Sequence, residues 1–128
     1  MLSAGAERFL HDSISSALQL DALIVLHADR ERWWTAAAMA AQLRASNVST
    51  AAALEALGAS NVVDVRISGS LSYRYAPLDR RLEHAVDEIA EVHYHARAEL
   101  LPRVTADRKR ADDARPIADV FRNGEPQG

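Results

Sequence analysis

Residues 63–67, VDVRI, and 71–75, LSYRY, alternate apolar and polar side chains, and SGS lies between them. A period of two is that of a strand with one covered face, and Ser-Gly-Ser is turn chemistry. The pair predicts a β-hairpin over 62–76. A lone hairpin is marginal in water, so its apolar face must close against the segments around it, and nearly all of those read as helix. The chain is thereby confined to a mainly α fold with a small β-hairpin, an α+β arrangement.

Upstream, residues 6–27 carry Ile14, Ala17, Leu18, Leu20 and Ile24 at helix-like spacing. Asp12 or Ser13 could cap a second helix there, so one bent helix and two short ones both fit. ADRER ends the pattern. Trp33 and Trp34 follow and point opposite ways if extended. They predict a very short strand, with one ring in the core and the other at a surface. Thr35 is a good N-cap for a helix over 36–43, with Met39, Ala40 and Leu43 inward. RASNV interrupts. Ser49 then predicts the cap of a second short helix over 50–57, with Ala53, Leu54 and Leu57 inward and Gly58 at its end.

Downstream, 78–101 reads as one long helix with an apolar stripe of Leu82, Val86, Ile89, Val92, Ala96 and Leu100, stopped by Pro102. Such a helix is about 36 Å long. A small head cannot cover a stripe of that length, which predicts a homodimer through the terminal helices. The organisation is therefore an N-terminal helical segment over 1–29, a core over 30–77 and a long C-terminal helix over 78–102. The core holds a helix pair over 36–57 and the hairpin over 62–76. A charged tail occupies 103–128, with one amphipathic piece, PIADVF, over 116–121.

Several functional classes find no support. There is no cysteine, hence no disulfide scaffold, thiolate metal site or cysteine nucleophile. No GxSxG, HExxH, glycine-rich phosphate loop or dinucleotide fingerprint occurs. The expectation is a protein that is not an enzyme and takes no cofactor and no metal. His84, His93 and His95 stand near Glu88 and Glu91. His84 and Glu88 are one turn apart, as are Glu91 and His95, which predicts a solvated, ion-paired face. His11 and His27 stand alone and read as surface or helix-end groups. The longest apolar run, ALIVL, is too short for a bilayer, and MLSAGAERFLHD lacks signal-peptide character. A cytoplasmic protein with no membrane association is expected. The net charge is −3 and the isoelectric point about 5.9, so the overall field does not draw in nucleic acid.

The order of elements is helix, tiny strand, helix, turn, helix, strand, turn, strand, helix. Residues 19–77, through LDALIVLHADRERWWTAAAMAAQL, STAAALEALGA and SYRYAP, resemble the winged helix-turn-helix core of small bacterial transcriptional regulators of the MarR and PadR kind. The resemblance implies a DNA-binding dimer, with the second helix of the motif in the major groove and long terminal helices at the dimer interface. That recognition helix would start at Ser49, yet it offers only Asn47, Ser49 and Thr50 before a run of alanines. These can bond phosphate or base edges but cannot make the bidentate arginine–guanine contacts that dominate discrimination. Over 30–76 five arginines face three carboxylates. Arg44 would anchor the motif on phosphate, and Arg66 and Arg74 would act through the wing. The alternative is a winged-helix protein-interaction module with little or no DNA binding, in which the alanine-rich helix is a docking face. A third reading is a ligand-responsive regulator with a pocket between the long helices and the tryptophans.

Overall fold

The computed structural model describes residues 2–104, so the amphipathic piece over 116–121 and the charge runs of the tail lie outside the described residues. In chain order the elements are α1 (Ala4–Ser13), α2 (Ala17–Ala28), β1 (Trp34–Thr35), α3 (Ala36–Leu43), α4 (Asn47–Ala59), β2 (Val63–Ser68), β3 (Ser70–Tyr75) and α5 (Arg80–Ala96). Two short 3-10 turns, Arg97–Glu99 and Leu101–Arg103, follow. The fold is mainly helical, with one small antiparallel sheet.

Each helix begins at a side-chain cap that the local sequence supplies. The side chains of Ser3, Ser16, Thr35, Ser46 and Asp79 accept hydrogen bonds from Ala6, Gln19, Ala38, Ser49 and Leu82 backbone N–H groups. Each such bond satisfies an amide that the first turn leaves without a partner. The helical stretch over 6–27 is two helices, and Gln19 explains the break. Its buried side chain accepts from Ser15 N–H at 2.9 Å and donates to the Ser13 carbonyl at 2.8 Å, closing the turn between α1 and α2.

Several expected boundaries are corrected. α4 starts at Asn47, with Ser46 as its cap, rather than at Thr50 with Ser49 as cap. It also runs through Gly58 to Ala59, and the left-handed residue beyond it is Asn61, at φ 65°. Asparagine tolerates that conformation because its short polar side chain can bond locally. The short strand is Trp34–Thr35 and not Trp33 with Trp34. The long C-terminal helix starts at Arg80, capped by Asp79, rather than at Leu78, and it ends at Ala96, not Leu101. Ala96 itself sits at φ −155° and ψ 68°, turning the chain so that Leu100 and Val104 enter the core.

The sheet has the strand order β1-β3-β2, all antiparallel. Trp34 lies across from Tyr73, and Val63 from Tyr75, on the covered face. The core is one cluster that joins Phe9, Leu10 and Ile14 of α1 with Leu20, Leu23 and Leu26 of α2. It continues through Met39, Leu54 and Leu57 to Trp34, Tyr73, Val86 and Ile89. The α5 stripe is therefore occupied within a single chain. Val86, Ile89 and Leu100 have no exposed surface, and Leu82 and Val92 pack against the cluster. The premise of an uncovered stripe does not hold, because α1 and α2 lie along α5 and the turn at Ala96 buries Leu100 within the same core.

Candidate binding surface

Six residues were expected to meet DNA, and the structure separates them into three sets. Arg44, Asn47 and Ser49 gather at the turn between α3 and α4 and are exposed. Arg44 caps α3 in the left-handed conformation, φ 56° and ψ 48°, so its backbone N–H returns to the Ala40 and Ala41 carbonyls while its side chain leaves the helix axis. The Ser49 N–H is bonded to the Ser46 hydroxyl at 3.1 Å, but the Ser49 side chain remains exposed. Thr50 is a correction: it is fully buried and cannot reach a ligand. Starting the helix at Asn47 puts Thr50 in phase with Ala53, Leu54 and Leu57, the inward face. Besides Asn47 and Ser49, the outward residues of α4 are Val48, Ala52, Glu55 and Ala59. No cation stands among them.

The third set lies on the polar face of the hairpin. Register places Asp64 opposite Arg74 and Arg66 opposite Ser72, with Thr35 on the far side of Ser72. Trp33 lies just before β1, and its ring carries two guanidinium groups, Arg66 at 4.2 Å and Arg74 at 4.7 Å from the centroid. A cation over an indole face is drawn to the ring quadrupole and loses rotamer freedom there. Arg74 also comes within 3.8 Å of Asp64, a half-exposed pair of small energetic weight. Trp33 is thus the outward tryptophan and Trp34 the core one, as the strand alternation requires.

The opposite face of the hairpin is covered only at its base. Val63, Tyr73 and Tyr75 are buried, but Val65 and Leu71 are half exposed and Ile67 is 80% exposed. Val65 lies close to Gly58 of α4, so the bare side of the hairpin adjoins the alanine-rich helix. Val48, at the start of that helix, is 82% exposed.

Charged groups that the sequence did not link clip α2 to α5 at two levels. Asp21 receives Arg97 through two bonds, at 3.0 and 2.8 Å, and stands 3.2 Å from His93 Nε2. Six residues along each helix, running antiparallel, His27 Nε2 stands 2.8 Å from Asp87 and 2.9 Å from Arg30 Nη2. Burial pushes the Asp21 carboxyl up, but the Arg97 and His93 hydrogen bonds and charges outweigh it, and its net shift is downward. Tyr75 lies edge-on to the His27 ring. Burial first, and then the nearby Asp87 charge, push its phenol up to about 12. His27, read from sequence as isolated, is therefore part of an interhelical cluster. Its partner lies 60 residues away, and no local spacing signals it. Of the expected pairs on α5, His95 meets Glu91 at 3.5 Å, whereas Glu88 accepts from the Ser3 backbone N–H.

A cleft of about 290 Å³ lies between α1 and α5, walled by Phe9, Arg8, Arg81 and Leu82. A wider one of about 600 Å³ adjoins it near Ser60 and Asp79. Neither is lined by a tryptophan, so the pocket envisaged between the long helices and the tryptophans is not where these clefts lie. Among the described residues no helix is long and apolar enough to cross a membrane. No family model matches the chain, and neither a curated protein nor a solved structure matches it.

Proposed function

We propose that the chain is a winged-helix transcriptional regulator, cytoplasmic, that holds DNA chiefly by its phosphates. The strand order β1-β3-β2, entered from a helix pair and left through a long helix, supports the winged-helix reading. The observation that carries DNA binding is the arginine pair set on Trp33 on the open face of the hairpin. Two cations preorganised on one ring lose less freedom on meeting phosphate than two free arginines would. Arg44, Asn47 and Ser49 add polar groups at the start of α4, where the helix N-terminus favours an anion. With Val48, Ala52 and Glu55 outermost, α4 has little means of direct base discrimination. The binding is therefore modest, salt-sensitive and weakly sequence-dependent. A titration of the full chain against duplex DNA at about 50 and 150 mM salt tests this. Absence of binding at the lower salt, to promoter and unrelated duplexes alike, rejects it.

A second reading has its own support. The outward side of α4, which carries Glu55 but no cation, and the bare apolar side of the hairpin suit a protein partner better than a phosphate backbone. A stoichiometric protein recovered with the chain from nuclease-treated extract, together with no retained DNA, would favour it.

A further inference from the structure

We propose that the free edge of β2 is a self-pairing surface, on which a second copy of this chain adds its own β2 antiparallel about Val65. Among the described residues β2 is an edge strand, in the order β1-β3-β2, and residues 64–68 are all exposed. The Ala76 N–H bonds the Val62 carbonyl at 2.9 Å. Alternation along the ladder then turns the backbone groups of Asp64 and Arg66 toward β3. Those of Val63, Val65 and Ile67 turn outward, to the open side. A row of outward N–H and C=O groups is a template for another strand. This one carries no proline to blunt it.

The sequence of the edge selects both the partner and the register. In antiparallel self-pairing about Val65, Val63 faces the partner's Ile67 and Val65 faces the partner's Val65. On the other face Asp64 faces the partner's Arg66, and Arg66 faces the partner's Asp64. Every residue of VDVRI then meets one of matching character, twice over by symmetry. The neighbouring registers fail. Pairing about Arg66 sets two guanidinium groups opposite each other, and pairing about Asp64 sets two carboxylates opposite each other. The favoured register forms on the order of six main-chain hydrogen bonds. It also covers the exposed side chain of Ile67. Asp64, already beside Arg74, would then lie between two cations, so the polar face becomes a ladder of alternating charge across both copies. The inference stands on the sheet alone and is independent of whether the head binds DNA.

The test is the solution mass of the full chain by light scattering between about 10 and 100 µM, a range that spans ordinary dimer affinities. The wild type is expected at twice 14.0 kDa. Asp64→Arg and Arg66→Asp are each expected to be monomeric, and the double exchange is expected to dimerise again. A second measurement fixes the register without depending on those variants folding well. The chain has no cysteine, and in this register the two Val65 Cα atoms are about 5.5 Å apart, within disulfide reach. Val65→Cys should therefore cross-link under mild oxidation. Arg66→Cys, about 8 Å from its copy across the diagonal, should not. A monomeric wild type overturns the proposal. So does a dimer whose mass ignores both charge reversals, or cross-linking that is equal at 65 and 66.

Discussion

Replacing Asp21 with asparagine removes the charge that holds α2 to α5 at one of their two clips. Asp21 accepts two bonds from Arg97 and faces His93, and its side chain is about a quarter exposed. A hydrogen bond to a charged group is worth about 1.5–3 kcal/mol net when shielded. Arg97 is 43% exposed, so solvent screening lowers the expected loss to about 1–2 kcal/mol. For a 128-residue chain that is a fall of about 4–8 °C in Tm. The pH dependence has a definite sign. The folded carboxyl titrates below its ordinary value. Its contribution is therefore complete above the unfolded value of about 3.9 and is lost as pH falls through the lower, folded value. Circular dichroism melts of wild type and Asp21→Asn at pH 7, 5 and 3 should show a full gap at the first two and a narrowing one at the last. A gap under about 1 °C at pH 7 would refute the argument. So would a gap equally wide at all three.

Three other outcomes are expected. If Arg44, Arg66 and Arg74 each meet a phosphate, log K should fall with log salt at a slope of about 2.7 per chain, and Arg66→Ala should reduce it by about 0.9; titration at four salt concentrations checks this. Gln19→Leu keeps the volume but leaves the Ser13 carbonyl and Ser15 N–H without their amide partner, so urea unfolding should show a loss of about 1–3 kcal/mol. Thr35→Ala removes the α3 cap and should cost about 1 kcal/mol, with Thr35→Ser retaining most of it in the same assay.

The hairpin and the start of α3 at Ala36 were legible in the sequence, and so was a short strand before α3, though it lies at Trp34–Thr35 and not at Trp33 and Trp34, because period and capping are properties of neighbouring residues. The exposed Arg44, Asn47 and Ser49 were legible for the same reason. Thr50 was not. Ser46 and Ser49 are both competent caps, and choosing between them rotates the helix enough to bury or expose a side chain. The end of α5 was equally hidden, because nothing local obliges a helix to stop at Ala96. Burial of Leu100 and Val104 against the rest of the core accompanies that turn.

By itself the sequence determined the order of the elements and the absence of a cation on the outward side of α4. Only the tertiary structure decided which charges meet. Asp21 with Arg97, and His27 with Asp87, are joined across 76 and 60 residues, and Arg66 and Arg74 converge on Trp33 only once β1 has paired with β3. Short-range order follows from torsional and hydrogen-bonding preferences that each residue carries with it. Long-range charge pairing follows from which apolar faces the core has already brought together.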